Sequence, residues 1–185
     1  MVEPIGQAAA PSRRVALLRG VNLGGARRLP MSELRRVAQG LGWTDVATHL
    51  QSGNLLFTAA LRDPDASAAL RVALREQLGL ATDVIVRSAE RLRSLIAAHP
   101  FADGDPSLVV IACFDRPLDA GVAARLAALA VGAERVQVAE DTVYAAFPGG
   151  QASSKLAARL VTAAAPATGT ARNLRTVTKL AELLG

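Results

Sequence analysis

The spacing of apolar residues along the first ninety residues is the feature that most constrains the fold. It switches several times between the spacing typical of a strand and that typical of a helix. Short apolar or alternating runs are typical of strands, whereas apolar residues at i, i+3, i+4 and i+7, as from Leu34 to Leu41, predict a helix. Pro30 suits the first position of that helix. In chain order the pattern predicts a strand at 15–19, a helix from 30 toward Gly40, strands at 46–51 and 55–58, a helix from Asp63, as its N-cap, to 78, and a strand at 83–87. This β-α-β-β-α-β order is that of a ferredoxin-like unit.

The second half of the chain repeats this order more loosely. A helix capped by Ser88 and ending before Pro100 comes first. It is followed by a predicted strand at 108–114, a helix at 119–130 and strands at 135–139 and 142–147. The last predicted elements are a helix capped by Ser153 or Ser154, an extended piece at 168–172 that can supply a fourth strand, and a helix capped by Asn173. We therefore predict an α+β fold with two subdomains. The first, at 13–98, is a ferredoxin-like unit with an appended helix, and the second, at 107–185, is a looser β-α-β-β-α repeat with an added C-terminal helix. Residues 1–12 carry Gly, Ala and Pro without a period and are predicted to be a disordered leader.

Composition limits the classes of protein to which the chain can belong. Hydrophobic residues make up 51% of the 185 residues but aromatic residues only 3%, which predicts a core of Leu, Val and Ala. The single cysteine, Cys113, lies in an apolar run and is interpreted as a small buried hydrophobe, so no disulfide framework is expected. No apolar run approaches the roughly 18 residues of a membrane span, and the N-terminus lacks a signal-peptide pattern. A cytoplasmic protein is the expectation.

The charge balance permits an anionic partner without requiring one. The formal net charge is +5, and the basic residues are nearly all arginine, with lysine only at Lys155 and Lys179. Acidic residues are interspersed throughout, and no Lys/Arg run is longer than a pair. Nucleic acid is therefore a possible partner, but the charge pattern does not single it out.

Six stretches of the chain are specific enough to be recognised. They read VALLRGVNLGG at 15–25, LPMSEL at 29–34, LQSGNLLF at 50–57, VRSAE at 86–90, SKL at 154–156 and TARNLRTVTKL at 170–180. Together they resemble a bacterial family known as domain of unknown function 1697, over about residues 14–184. The resemblance implies a cytoplasmic two-subdomain α+β protein. It implies no established activity, cofactor or partner.

A first group of candidate binding residues follows from the predicted topology. In a β-α-β-β-α-β unit the first two strands run the same way with the third between them, so the loop at 20–29 and the turn at 52–54 emerge at one end of the sheet. Glycines there let the backbone approach an anion, and an arginine adds a bidentate fork. The residues in this group are Arg19, Gly20, Asn22, Gly24, Gly25, Gln51, Ser52, Gly53 and Asn54. The alternative is that Gly and Asn only fill turn positions and that Arg19 pairs with a carboxylate.

A second group of candidate residues surrounds the start of the last helix. It comprises Lys155, Arg172, Asn173, Arg175, Thr176 and Lys179, of which the first four are the candidate ligand contacts. A capped helix N-terminus flanked by two arginines would suit an anion. The alternative is an ordinary amphipathic helix with a solvated basic face. Whether this group faces the first one is not determined by the sequence.

Most of the common catalytic and metal templates do not match. A Ser-His-Asp assembly of Ser52, His49 and an aspartate stays open, but Ser52 lacks the nucleophile elbow typical of such sites. The glycine loop has neither the Walker-A nor the dinucleotide spacing, and His49, His99 and Cys113 lack metal-ligand spacing, so no metal site is predicted and catalytic residues and cofactors stay unknown. Asp103–Pro106 is typical of a turn, and strand one lacks the aromatic residues of an RNA-recognition sheet. The leading hypothesis is a protein that binds an anionic ligand, either a nucleotide-like metabolite or a nucleic-acid backbone. The alternatives are an enzyme acting on a phosphorylated or nucleotide substrate and a non-catalytic protein-interaction module.

Overall fold

A computed structural model describes residues 10–22 and 28–185 of the chain. Contacts between residues divide it into two compact units, with the division between Ser88 and Ala89. The first unit contains β1 (Ser12–Leu18), α1 (Met31–Gly40), β2 (Thr44–His49), β3 (Asn54–Ala59), α2 (Asp63–Leu78) and β4 (Val84–Ser88).

The first unit is ferredoxin-like. Its four strands lie in the order β2-β3-β1-β4, and every neighbouring pair is antiparallel. Because β3 lies between β1 and β2, the first two strands run in the same direction. The end of β1 lies beside the start of β3, with Leu17 opposite Asn54. The β-α-β-β-α-β prediction is confirmed.

Helices α1 and α2 bury their apolar stripes against one face of this sheet. Leu34 and Leu74 are fully buried in the resulting core together with Phe57 from β3. The ring of Phe57 stacks on Trp43, with ring centroids 3.9 Å apart and an interplanar angle of 13°. A stack of this kind adds about 0.5–1.5 kcal/mol to the ordinary burial of apolar area.

The second unit completes the same topology. It contains α3 (Ala89–Ala98), β5 (Val109–Phe114), α4 (Gly121–Ala127), β6 (Arg135–Ala139), β7 (Thr142–Ala146), α5 (Lys155–Arg159), a 3-10 turn (Thr162–Ala164), β8 (Gly169–Asn173) and α6 (Leu174–Leu184). The strand order is β6-β7-β5-β8, again antiparallel throughout. The extended piece after the 3-10 turn is therefore a true fourth strand, paired along β5. The predicted helix after Ser154 is only five residues long and is followed by the 3-10 turn.

Three boundaries differ from the sequence-based expectations. Strand β1 begins at Ser12, before the predicted start at residue 15, while residues 1–9 of the predicted leader lie outside the described residues. The contacts place α3 with the second unit. Asp63 is the first residue of α2 and not its N-cap, because its carboxylate accepts from Arg14 Nε at 2.9 Å and from the N–H of Ser88 at 3.2 Å.

Candidate functional site

The loop that follows β1 lies against the turn between β2 and β3. The N–H of Leu18 donates to the carbonyl oxygen of Gly53 at 2.9 Å, and the amide Nδ2 of Asn22 donates to the carbonyl oxygen of Gln51 at 2.8 Å. The topology thus brings residues 19–22, which we name the β1 loop, and residues 50–54, the hairpin turn, to one end of the first sheet. Gly24 and Gly25 lie outside the described residues.

Asn22 holds the two ends of its loop together. Besides its bond to the hairpin turn, its Nδ2 donates to the carbonyl oxygen of Leu29 at 2.9 Å, and its Oδ1 accepts the N–H of the same residue at 2.8 Å. The backbone of Asn22 has a φ of +57°, a conformation that asparagine tolerates better than most residues. The side chain of Asn22 therefore stabilises the loop. This is the turn role that the sequence analysis gave as the alternative to ligand binding.

The hairpin turn is built by Gly53 and Asn54. Gly53 has a φ of +76°, and a Cβ built on it would lie 2.5 Å from Val21 Cγ2 and 2.9 Å from Leu18 Cβ, so only glycine fits. Asn54 is fully buried, and its Nδ2 donates to the carbonyl oxygen of His49 at 2.9 Å and to Ser52 Oγ at 3.1 Å. These two residues shape the turn, and neither is exposed for a ligand.

Arg19 is the cation of the β1 loop. Its Nη1 lies 3.2 Å from Asp83 Oδ2, and 38% of its side chain is exposed. The backbone of Arg19 is fixed at both ends, because its N–H donates to the carbonyl oxygen of Asp83 at 3.0 Å and its carbonyl accepts from Thr82 Oγ1 at 2.7 Å. Within the described part of the chain, Nε and Nη2 of this guanidinium have no hydrogen-bond acceptor.

Successive backbone donors follow Arg19. The N–H groups of Gly20, Val21 and Asn22 donate to no atom of the residues that the structure describes. Gly20 and Asn22 have φ of +63° and +57°, and Val21 between them has a negative φ. The sign of φ therefore alternates along the three residues, as it does in the nests of successive N–H groups that bind anions.

A cavity of about 510 Å³ opens beside Leu29, the residue to which Asn22 is hydrogen-bonded. It is bounded by Arg28, Pro30 and Glu33 on one side and by residues 78–81 at the end of α2 on the other. Its volume is within the range of about 300–1,000 Å³ typical of small-molecule sites. The cavity borders both Leu29, which Asn22 holds, and the segment leading to Thr82 and Asp83.

In the second group, Asn173 caps α6. Its Oδ1 accepts the N–H of Thr176 at 2.8 Å, as the sequence predicts for an N-cap. Arg175 is exposed in the first turn of α6, and its N–H donates to the carbonyl oxygen of Pro106 at 3.1 Å. One of the free N–H groups of this helix end is thus already satisfied by the chain.

Arg172 and Lys155 lie on different sides of the second sheet. Ala171 packs into the core beneath α4 and α5, so alternation along β8 places Arg172 on the opposite face. There Arg172 Nη1 donates to Thr170 Oγ1 at 2.9 Å and to the carbonyl oxygen of Ala171 at 2.8 Å. Burial lowers the pKa of Arg172 to about 10. Lys155 is exposed on α5, on the helical side, so the structure does not bring these two cations together.

Sequence reasoning missed the surroundings of Lys155. Arg159, one helical turn later, and Arg125 on α4 line an open cavity of about 620 Å³ together with Lys155. The i, i+4 spacing of Lys155 and Arg159 was a visible signal. The contribution of α4 was not visible, because it depends on how two distant segments pack.

Two classes of feature do not occur in the part of the chain that the structure describes. Among residues 10–22 and 28–185, no group of three or more His, Cys, Asp or Glu side chains is arranged to hold a metal ion. Over the same ranges no helix has the length and apolar character needed to cross a membrane.

Comparison with known proteins agrees with the fold. The chain is similar to the structure of the conserved bacterial protein SP0830 from Streptococcus pneumoniae, with a TM-score of 0.76 and 23% identity, covering 95% of this chain and 100% of that one. No curated protein matches the chain. A family model described as protein of unknown function (DUF1697) matches residues 12–144. The chain therefore belongs to the DUF1697 family.

Proposed function

We propose that this protein binds an anionic ligand, a nucleotide-like metabolite or a nucleic-acid backbone, at the β1 loop. The observation that carries the proposal is the run of N–H groups from Gly20 to Asn22 with no acceptor in the described part of the chain, directly after the half-exposed Arg19. Backbone donors in a concave loop and a guanidinium fork are the groups that bind phosphate oxygens in other proteins.

The residues of this end of the sheet divide into scaffold and contact groups. Asn22, Gly53 and Asn54 use their side chains or their conformation to hold the loop on the hairpin turn. The ligand contacts in the proposal are the guanidinium of Arg19 and the N–H groups of the β1 loop. The cavity beside Arg28 provides room for the rest of a small ligand.

The setting in this proposal is the bacterial cytoplasm, which suits a chain whose one cysteine, Cys113, is buried and forms no disulfide. An enzyme acting on the same class of ligand is the second candidate, and it needs an acid or base beside the loop. The carboxylate that lies there, Asp83, forms an ion pair with Arg19. A protein-interaction module is the third candidate, and Leu50, 56% exposed at the hairpin turn, is the feature that favours it.

A thermal-shift screen tests the proposal. Nucleotides, phosphorylated metabolites and short oligonucleotides are added to the wild-type protein and to Arg19→Ala, since a ligand that binds only the folded state raises the melting temperature by mass action. Arg62→Ala is the matched control. Arg62 also pairs with one carboxylate, that of Asp65 at 2.8 Å, but it lies beyond the end of β3, at the opposite end of the sheet.

The expected result is a shift in the wild type and in the Arg62 variant that Arg19→Ala loses. An equal shift in all three proteins, or no shift with any anion, would contradict binding at the β1 loop. If oligonucleotides produce the shift, its dependence on salt separates the two ligand classes, because phosphate contacts to nucleic acid release counterions and weaken steeply as salt is raised.

A further inference from the structure

We propose a second binding site, in the second unit, for an anionic amphiphile: a small molecule with an apolar body and a carboxylate at one end. The site is the open cavity of about 620 Å³ between α4 and α5, which we name the α4–α5 groove. The residues that line it are Arg125, Ala128, Leu129, Lys155, Ala158, Arg159 and Ala163.

The floor of the groove is apolar and is made of small side chains. Three alanines and one leucine form it, and the aliphatic stems of the cations add to it. Small side chains leave depth that larger ones would fill. An apolar body lying there removes its own surface and that of the groove from water, which is favourable.

The rim of the groove is cationic. Lys155 and Arg159 follow one another at i, i+4 on α5, so their charges project from the same side of the helix. Both are exposed, and neither side chain has a hydrogen-bond or ion-pair partner within the described residues. Arg125 on the opposite rim is already engaged, by Asp119 Oδ2 at 3.0 Å and by the carbonyl oxygen of Ala163 at 3.1 Å. The two cations on α5 therefore mark where a negative group would lie.

The surface on the other side of Lys155 indicates where the carboxylate of the ligand would lie. Lys155 also borders a second cavity, of about 520 Å³, in which Glu134 lies and Val131 is 68% exposed. Glu134 already accepts the N–H of Val131 at 2.9 Å, and its charge repels a second carboxylate. The anionic end of the ligand thus belongs on the groove side of Lys155.

The size of the groove selects a small molecule over a protein. Its volume falls in the range of about 300–1,000 Å³ that holds drug-sized ligands. A stable protein partner needs about 800 Å² on each side, more than a groove between two short helices presents. Charge complementarity and volume together favour an apolar chain or ring with one anionic end, for which we propose a carboxylate.

Isothermal titration calorimetry with decanoate tests this site. We expect wild-type protein to bind decanoate with a sub-millimolar Kd. The control ligands are 1-decanol, which has only the apolar chain, and inorganic phosphate, which has only the negative charge. Each is expected to bind at least about tenfold more weakly than decanoate. The double variant Lys155→Glu/Arg159→Glu is expected to weaken decanoate binding by about tenfold or more. Ala158→Trp, at an exposed position of the groove, is expected to abolish it by filling the space.

The matched control is Arg71→Glu/Arg75→Glu. These two arginines have the same i, i+4 spacing and are exposed on α2, but they do not border the groove, so this variant is expected to bind decanoate within about twofold of wild type. Urea midpoints check that each variant is folded. Equal loss in both charge-reversal variants, binding of decanol as tight as decanoate, or binding unaffected by Ala158→Trp would overturn the proposal. So would light scattering that finds a dimer of the wild-type protein and a monomer of the Ala158→Trp variant, because a second copy would then cover the groove.

Discussion

Replacing Gly53 by alanine is expected to destabilise the first unit by about 2–5 kcal/mol. The left-handed backbone at φ +76° costs a residue with a Cβ about 1–2 kcal/mol. The new Cβ would also lie 2.9 Å from Leu18 Cβ and 2.5 Å from Val21 Cγ2. Leu18 is fully buried in β1 and hydrogen-bonded to Gly53, so it cannot move aside, and overpacking of this kind adds about 1–3 kcal/mol.

Gly20→Ala separates these two contributions. Gly20 has nearly the same backbone conformation, φ +63°, but apart from its chain neighbours no atom of the described residues lies within 4 Å of the position that a Cβ would take there. Only the conformational cost of about 1–2 kcal/mol is therefore expected. Urea denaturation of both variants measures the free energy of unfolding, with tryptophan fluorescence of Trp43 reporting on the first unit. Equal destabilisation by the two substitutions would refute the close contact between the hairpin turn and β1.

Three further outcomes are expected. Leu50→Asn raises the free energy of unfolding by about 0.5–1.5 kcal/mol in urea denaturation, because Leu50 is exposed and has a φ of +59° that asparagine tolerates better; a decrease would contradict this. Gly169→Ala destabilises the second unit by about 2–3 kcal/mol, since its Cβ would lie 2.6 Å from the ring of Phe114 and 2.7 Å from the carbonyl oxygen of Cys113; an unchanged urea midpoint would contradict this close packing of β8 on β5. Burial raises the pKa of Asp115, but hydrogen bonds from the next residue's guanidinium and from Thr168 outweigh it and hold the pKa below its usual value. The stability that this carboxylate contributes is present above a pH of about 4 and is lost as the pH falls through its folded pKa. In the Asp115→Asn variant the free energy of unfolding is therefore expected to fall less between about pH 6 and pH 2 than in the wild type.

Most of the fold was predictable because each element carries its own local signal. The stripe from Leu34 to Leu41, the alternation in β2 and the asparagine before α6 depend on residues close together in sequence. Asp63 shows where such signals fail. Asp followed by Pro is a good start for a helix, but the side chain is taken by Arg14, 49 residues away, and the helix begins without a side-chain cap.

For the candidate site, topology alone predicted that the β1 loop and the hairpin turn meet. The sequence did not determine which groups are left for a ligand. Asn22 and Asn54 are ordinary loop polar residues in sequence, and only the folded chain shows that their amides are used within the turn, while the N–H groups at 20–22 find no acceptor among the described residues.

By itself, therefore, the sequence determined the identity and order of the elements and the ferredoxin-like unit that they form, because periodicity, turn chemistry and helix caps act over a few residues. Tertiary structure alone decided which cations share a surface. Arg172 and Lys155 were grouped by chemistry, yet the alternation of β8 places the partly buried Arg172 on one face of the sheet, while α5 exposes Lys155 on the other. Lys155 instead lies beside Arg125 and Arg159. That neighbourhood arises from the packing of α4 against the segment after α5, which no local pattern encodes.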